Sequence, residues 1–210
     1  MTYSVKEIFY TLQGEGAHTG RPSVFCRFSG CNFWSGLEKD RETAACSYCD
    51  TDFIGTNGQN GGKFKSADEL ADKVWSFWPK SSKGKPYIVC TGGEPLLQLD
   101  SPLIKAFQKR GFDVAVETNG SLPAPKELDW VCVSPKDLNQ FVQTSGDELK
   151  LVYPQEAIKP EDVDHLNYTN FFLQPLDEKE NNHVQKTVKY CQNHPQWRLS
   201  LQTHKIIGID

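Results

Sequence analysis

Cysteines are the residues whose type and spacing most clearly indicate chemistry in this sequence. The 210-residue chain has seven, and Cys26, Cys31, Cys46 and Cys49 fall within 24 consecutive residues. Cys46 and Cys49 form a C-x-x-C pair, in which a short turn brings two sulfurs to one metal or cluster. Cys31 is separated from Cys46 by 14 residues. Because the chain begins with no export signal, this grouping predicts metal or redox chemistry instead of disulfides.

Strand parity separates Cys26 from the other three cysteines. Residues 24–29 read as a strand, in which Arg27 and Cys31 share one face and Cys26 points to the other. A 4Fe-4S cluster bound by three thiolates leaves one iron open for a substrate or cofactor, whereas structural zinc needs four ligands. A zinc knuckle and buried cysteines without a metal remain as alternatives.

The overall composition narrows the class of protein. A hydrophobic fraction of 38% in 210 residues suits one globular domain with a sizeable core. The formal net charge of −4 and the lack of a Lys/Arg run argue against a nucleic-acid partner. The N-terminus has no basic segment followed by an apolar stretch, and no apolar run is long enough to span a bilayer. We therefore expect a cytoplasmic protein without a membrane partner.

Short β-branched or aromatic runs alternate with helical patterns along the chain. Strands are predicted at residues 24–29, 87–91, 113–117, 130–133, 149–153, 171–173 and 198–202, and helices at 67–78, 103–109 and 178–193. This alternation predicts a parallel sheet. Eight full βα units usually take about 250 residues, so the expected fold is α/β, a partial, open TIM-like (β/α) barrel with reduced helix content. We expect one domain over residues 1–210.

Polar residues, Gly and Pro recur where the predicted strands end. The segments are SGC (29–31), TGGEP (91–95), ETNG (117–120), VSPK (133–136) and LQPL (173–176). In barrel enzymes the carboxyl ends of the strands carry the active site. Five such segments in one chain therefore predict a site at this edge of the sheet.

Several motifs resemble known families. Tyr48 directly before Cys49, together with TGGEP (91–95), resembles the radical S-adenosylmethionine (SAM) superfamily, although that superfamily usually has three residues between its first two cysteines. EIFYTLQGEG (7–16), GRP (20–22), FCRFSGCN (25–32) and CDT (49–51) resemble the 7-carboxy-7-deazaguanine synthase family, some of whose bacterial members have an extended cysteine loop.

The resemblance implies a reaction and its cofactors. In that family, 6-carboxy-5,6,7,8-tetrahydropterin becomes 7-carboxy-7-deazaguanine with ring contraction and loss of ammonia, a step of queuosine and 7-deazapurine biosynthesis. A 4Fe-4S cluster bound by Cys31, Cys46 and Cys49, reusable SAM and Mg²⁺ are the implied cofactors. A flavodoxin or ferredoxin is the implied reductant, and a homodimer is the implied assembly.

The resemblance also implies roles for individual residues. Substrate contacts are expected from Leu12, Gln13, Gly14, Glu15, Arg27, Thr91, His204 and the terminal Asp210. Arg27 has an independent reason, because it shares the strand face of Cys31 and a guanidinium binds carboxylate in two-pronged fashion. Contacts to SAM are expected, partly through backbone groups, from Tyr48, Asp50, Gly92, Glu94, Glu117, Val133, Ser134, Pro135, Leu173, Gln174, Pro175 and Leu176.

Three further features complete the expected site. Thr51 is the implied protein ligand of Mg²⁺, which often takes only one or two ligands from protein. The cluster loop, residues 31–49, and the C-terminal tail, residues 203–210, are expected to close the site.

Two other functions remain open at the level of sequence. Another small radical SAM enzyme, such as a glycyl-radical-enzyme activase, would share the cluster and the GGE motif but would not need QGEG (13–16) or an inward Arg27. A zinc-stabilised interaction module would leave the motifs at the strand ends unexplained.

Overall fold

Nine strands form one continuous sheet in the part of the chain that the computed structural model describes, residues 2–46, 48–177 and 182–209. The strands are β1 (Tyr3–Leu12), β2 (Pro22–Phe28), β3 (Gly62–Phe64), β4 (Tyr87–Gly92), β5 (Asp113–Thr118), β6 (Trp130–Val133), β7 (Ser145–Tyr153), β8 (Asn167–Pro175) and β9 (Trp197–Leu199). Their order across the sheet is β3-β1-β2-β4-β5-β6-β7-β8-β9. The sheet is therefore open, with β3 and β9 at its edges.

Most of the sheet is parallel, as the sequence predicts. Neighbours from β2 through β9 pair in parallel. The exception is the N-terminal part, where β1 pairs antiparallel with both β2 and β3. The sequence pattern predicts β2 but not β1 or β3. In β1 a register shift between Val5 and Glu7 interrupts the regular alternation, because a bulge moves later side chains to the other face.

The helices are few and short. They are α1 (Ala67–Trp75), α2 (Ser101–Lys109), α3 (His183–Asn193) and α4 (Thr203–Ile207), with 3-10 turns at Gly16–His18, Glu38–Thr43, Pro95–Leu97, Leu138–Gln140 and Pro160–Asp162. Predicted helix 67–78 ends three residues early, and the start of predicted helix 178–193 lies partly outside the described residues. The low helix content fits the partial barrel that the sequence predicts.

Side-chain caps fix where the first two helices begin. The Ser66 hydroxyl accepts the backbone N–H of Glu69 at 3.2 Å, and the Asp100 carboxylate accepts that of Leu103 at 3.0 Å. Each cap satisfies one of the donors that a helix N-terminus leaves unpaired. In the described part of the chain, no helix is long and apolar enough to cross a membrane.

The main hydrophobic core lies between the sheet and the helices. One cluster packs α1 and α2 against β1, β2, β4 and β5 and contains Cys26 and Cys90, both fully buried. A second cluster surrounds the buried residues of β6, β7 and β8. Burial of apolar area drives this packing at roughly 25 cal/mol per Å². The inner face of the curved sheet is formed by residues that belong to neither cluster.

The 3-10 turn Gly16–His18 lies against that inner face. The His18 ring contacts Trp130 and Tyr87, with ring centroids 4.3 Å and 5.2 Å apart. Beneath it, Tyr87, Val89 and Ala115 form a small buried cluster. The turn thus fills one end of the half-barrel and leaves the other end, at the carboxyl ends of the strands, open.

Candidate active site

A cavity of about 780 Å³ occupies the open end of the half-barrel. Its walls come from the inner face of β1, the ends of β2, β4, β5, β7 and β8, the loops that follow them, and the start of α4. This is the position that the sequence analysis predicts for the site, since parallel strands end together at one edge.

Three cysteines lie on one wall of the cavity. Cys31, Cys46 and Cys49 all line it, whereas Cys26 is buried in the core on the opposite face of β2, as strand parity predicts. The backbone N–H of Phe33 donates to Cys31 Sγ at 3.4 Å. A hydrogen bond from the Cys46 thiol lowers the pKa of Cys49 to about 6. The wall therefore favours one ionised sulfur even without a metal.

The three thiols are not arranged around a point. Across residues 2–46, 48–177 and 182–209, no three His, Cys, Asp or Glu side chains are close enough together to hold a single metal ion. A 4Fe-4S cluster makes a different demand, because each thiolate binds its own iron and the sulfurs surround a space.

The extended loop between the first two cysteines has internal order. The guanidinium of Arg41 lies 4.2 Å from the centre of the Trp34 ring, and its Nη1 donates to the backbone oxygen of Cys49 at 3.0 Å. Trp34 is itself buried against Phe53. These contacts attach the loop to the last cysteine of the site.

The strand end that carries the GGE motif approaches the first cysteine closely. A Cβ at Gly93 would lie 2.1 Å from the backbone oxygen of Gly30 and 2.8 Å from Cys31 Cβ, so only glycine fits there. The Glu94 side chain is fully buried and accepts hydrogen bonds from Thr118 Oγ1 and from the Asn119 backbone N–H, both at 2.8 Å. Glu94 thus joins the ends of β4 and β5 underneath the cavity.

The floor of the cavity is a polar network. Lys150 Nζ lies 2.5 Å from Glu15 Oε2 and 3.9 Å from Glu117 Oε1. Gln13 Nε2 donates to Glu117 at 2.9 Å, and Gln174 Nε2 donates to Glu15 at 3.1 Å. Burial alone would raise the pKa of Glu15, but the Lys150 ammonium outweighs it and lowers that pKa below its ordinary value. Glu15 is therefore ionised at neutral pH.

Other charged side chains on the wall are also paired. Arg27 Nε donates to Glu7 Oε1 at 2.7 Å, and both residues line the cavity. Lys6 pairs with Asp52 at 2.8 Å. Thr51, which precedes Asp52, presents its side chain to the same cavity.

The start of the C-terminal tail covers one side of the cavity. The Thr203 backbone N–H donates to the Gly14 oxygen at 2.9 Å, and a Cβ at Gly14 would lie only 2.1 Å from His204 Nδ1. Lys205 pairs with Asp50 at 3.0 Å and with Asp177 at 2.7 Å. Residues 203–205 therefore join the segment before β2 to the residue that follows Cys49. The predicted substrate contact Asp210 lies outside the described residues.

Most residues predicted from the sequence meet at this one cavity. The lining includes Leu12, Gln13, Gly14, Glu15, Arg27, Cys31, Cys46, Tyr48, Cys49, Asp50, Thr51, Thr91, Gly92, Glu117, Ser134, Gln174, Pro175, Leu176 and His204. Four others lie behind it: Glu94, Val133, Pro135 and Leu173 are buried and do not line the cavity. Contacts from these four to a bound molecule would have to come through neighbouring backbone.

Several polar residues of the lining were not among the predicted site residues, and the four that follow are examples. Lys136, Lys150, Gln202 and Lys205 all face the cavity. Lys136 ends the VSPK segment, and its ammonium lies 5.1 Å from the centre of the Tyr48 ring. Burial opposes the charge of Lys136, but Tyr48 and Cys46 outweigh it and raise its pKa. The sequence does not mark Lys150 as a site residue, because a lysine within a strand usually indicates a solvent-facing position.

Comparison with known proteins identifies the family. Residues 42–152 match the family model described as the radical SAM superfamily. The 7-carboxy-7-deazaguanine synthases of Caulobacter vibrioides and Bordetella pertussis are each 57% identical to this chain over 210 residues, covering all of both chains. The chain belongs to the 7-carboxy-7-deazaguanine synthase family. The crystal structure of QueE from Escherichia coli has 26% identity, covers 97% of this chain and 95% of that one, and superposes with a TM-score of 0.73.

Membership of the 7-carboxy-7-deazaguanine synthase family confirms the resemblance and the expected fold. The superfamily match begins at residue 42, inside the cluster loop, and so leaves out Cys31. That boundary agrees with the unusual 14-residue spacing between the first two cysteines. The names of these relatives do not support either alternative, the glycyl-radical-enzyme activase or the zinc module.

The radical SAM superfamily implies a 4Fe-4S cluster and SAM, and the cavity fits both. Three thiols that share one wall can each bind a separate iron. The backbone at Gly93 approaches Gly30 and Cys31 closely, Gly93 itself lines the cavity, and the cavity volume is in the range of small-molecule sites.

Proposed function

We propose that this protein converts 6-carboxy-5,6,7,8-tetrahydropterin into 7-carboxy-7-deazaguanine, acting as a carbon–nitrogen lyase in queuosine and 7-deazapurine biosynthesis. The observation that carries the proposal is the cavity itself. It combines three thiols on one wall with a guanidinium and an ionised carboxylate on the others, within a chain that matches 7-carboxy-7-deazaguanine synthases over its full length.

Cys31, Cys46 and Cys49 would hold the 4Fe-4S cluster, and the ends of β4, β5, β6 and β8 would hold SAM. When bound, the cluster and SAM would supply one-electron radical chemistry. The protein's own part is to position the substrate and exclude water. Gly92 and Ser134, which line the cavity at the ends of β4 and β6, would contribute to the SAM site.

The substrate would bind between Arg27 and the floor network. Nε of Arg27 is used by Glu7, but a guanidinium has five donors, so its remaining N–H groups can bind the pterin carboxylate. Glu15 and Gln13 suit the amino-pyrimidine edge, since a carboxylate accepts from adjacent N–H groups and an amide both donates and accepts. His204, held against Gly14, would cover the ring.

Mg²⁺ would be held by Thr51 and the substrate carboxylate. The neighbouring carboxylates Asp50 and Asp52 are already paired with Lys205 and Lys6. That leaves the Thr51 hydroxyl as the protein ligand, a modest donor set that suits an ion which keeps several waters. Turnover that is unaffected when the metal is chelated and then re-added would contradict this assignment.

The whole chain would act as one radical SAM domain, closed by the cluster loop, residues 31–49, and the tail, residues 203–210. Lys205 supports this closure, because its ion pairs join the tail to Asp50 and Asp177. Asp210 would place the terminal carboxylate on the substrate. The protein would work as a homodimer and take its electron from a flavodoxin or ferredoxin.

Anaerobic reconstitution tests the proposed reaction. The iron- and sulfide-loaded protein is mixed with SAM, a reductant, Mg²⁺ and 6-carboxy-tetrahydropterin, and the product is measured by mass spectrometry. We expect 7-carboxy-7-deazaguanine from the wild type and from Cys26→Ala, but not from Cys31→Ala, Cys46→Ala or Cys49→Ala. The control removes a thiol from the core, which leaves the cavity wall intact. Cleavage of SAM without change in the pterin would contradict the substrate assignment.

A further inference from the structure

Lys150 is an unusual residue for the floor of a cavity. Its side chain is only 7% exposed, and it points from the middle of β7 toward two carboxylates on different elements. Glu15 lies on the segment after β1, and Glu117 lies near the end of β5. Burying an ammonium without a partner costs free energy. The two carboxylates therefore stabilise the charged side chain of Lys150 at this position.

Each of the two carboxylates also accepts hydrogen bonds from other side chains. Glu15 Oε1 also accepts hydrogen bonds from Gln174 and Gln202, while its Oε2 faces Lys150. Glu117 accepts from Gln13 at 2.9 Å and from Thr91 Oγ1 at 3.5 Å. Without a cation between them, two carboxylates in this partly buried space would repel each other, and one would take up a proton.

We propose that Lys150 is a positioning residue that keeps Glu15 and Glu117 as a fixed pair of carboxylates, so that Glu15 accepts N–H groups from the amino-pyrimidine edge of the substrate. The inference rests on the proposed function for the identity of the substrate. A protonated Glu15 would keep only its carbonyl oxygen as a good acceptor and would lose its negative charge, so it would bind adjacent N–H groups of the pterin more weakly. Lys150 thus acts on the substrate through Glu15.

Other charged groups surround this pair and bear on its pH response. Those that face it are His18 from the 3-10 turn after β1, Cys132 from β6, Lys136 from the loop after β6, Glu148 from β7 and His204 from α4. Glu148 lies in a small neighbouring pocket that Glu15 and Glu117 also line, and burial raises its pKa. Lys136 is nearer the cysteines and Tyr48, so Lys150 is the cation in contact with Glu15.

Pterin binding at different pH values tests the role of Lys150. The reconstituted protein with SAM but without reductant is titrated with the fluorescent analogue 6-carboxypterin between about pH 6 and pH 9. In Lys150→Met we expect binding at pH 6.5 to weaken by about tenfold and to recover as the pH rises, because the carboxylates lose their protons. Lys150→Arg, which keeps the charge, should bind within about threefold of the wild type across the range.

Lys6→Met is the matched control. Lys6 is also about 90% buried and paired, but its partner is Asp52, so any loss of binding should be the same at every pH. Equal weakening of Lys150→Met at all pH values, or no rescue by arginine in a folded protein, would contradict the proposal. If Lys150→Met does not fold, the double variant Lys150→Met/Glu117→Gln removes the repulsion and should restore binding at low pH; failure to do so in a folded protein would also contradict it.

These outcomes are separate from the test of the proposed function. A wild type that binds 6-carboxypterin but forms no 7-carboxy-7-deazaguanine would contradict the reaction and leave the pH comparison intact. A wild type that forms the product, with a Lys150→Met variant that binds normally at every pH, would contradict only the role of Lys150.

Discussion

At the scale of single residues, cations on the cavity wall are held by carboxylates before any ligand binds. Lys6, Arg27 and Lys205 each have an acidic partner at 3.0 Å or less. Such pairs restrict the conformations of long side chains before a ligand binds. Less side-chain entropy is then lost on binding. A ligand carboxylate then meets donors that are already oriented.

Arg27→Lys tests this pre-orientation in the proposed reaction. Lysine can keep an ion pair with Glu7, but its single ammonium cannot also offer a planar pair of donors to a carboxylate. We expect the KM for the pterin to rise by about tenfold, the value of a lost charged hydrogen bond, while the iron content stays at the wild-type level.

Arg21→Lys is the control for this change. Arg21 also pairs with an acid, Asp113, but it stacks on Tyr87 at the filled end of the half-barrel. Its KM should stay within about twofold of the wild type, because no substrate contact is removed. An unchanged KM in Arg27→Lys would remove Arg27 from the substrate site.

At the scale of elements, the sequence predicts best the parts whose signals are local. The helical patterns predict the bounds of α1 and α2 to within three residues, and β-branched runs predict the parallel strands. Strand β1 has a bulge that interrupts its alternation, and α4 has only five residues, too few for a periodic pattern. The strand-end motifs predict one part of the cavity lining, but Lys150 and Lys205 become recognisable only when their distant partners are in place.

Packing between α4 and the segment after β1 gives a prediction at this scale. Gly14 does not have a positive φ, so alanine is acceptable to its backbone, but the added Cβ would lie 2.1 Å from His204 Nδ1. We expect Gly14→Ala to displace His204 and to raise the KM for the pterin, without changing cluster content or the melting temperature by more than a few degrees.

Gly62→Ala provides the comparison for this variant. Gly62 also has an ordinary backbone conformation, and a Cβ there would meet only Phe64, at 3.8 Å. It should leave the KM unchanged. A Gly14→Ala variant with the KM of Gly62→Ala would indicate that the tail does not cover the substrate.

At the scale of the whole molecule, polar contacts hold together the two ends of an open sheet. The segment after β1 meets the chain after β9 through the Gly16 backbone N–H and Ser200 Oγ at 3.0 Å, and through the Thr203 N–H and the Gly14 oxygen at 2.9 Å. A closed barrel would use strand pairing here. An open one leaves room for a wide cavity, but it must bury polar groups to hold its ends together.

Glu148 is the clearest example of this buried polarity. Its side chain lies in β7 beneath the turn Gly16–His18 and accepts the Ala17 backbone N–H at 3.1 Å. Burial raises its pKa above the ordinary value of 4.5. As the pH rises above that ordinary value, Glu148 ionises in the unfolded chain before it ionises in the folded one, so it progressively lowers the free energy of unfolding.

Glu148→Gln removes this pH dependence and keeps an oxygen that can accept from Ala17. Relative to the variant, the wild type should therefore lose stability as the pH rises above the ordinary pKa of 4.5. Urea denaturation of both proteins at each pH measures the difference, in which the shared contributions of Glu15 and Asp113 cancel. Those two acids have lowered pKa values, so they stabilise the fold above their ordinary pKa and lose that effect as the pH falls. A constant difference across the range would mean that Glu148 has the same pKa in the folded and the unfolded chain, which would contradict the effect of burial.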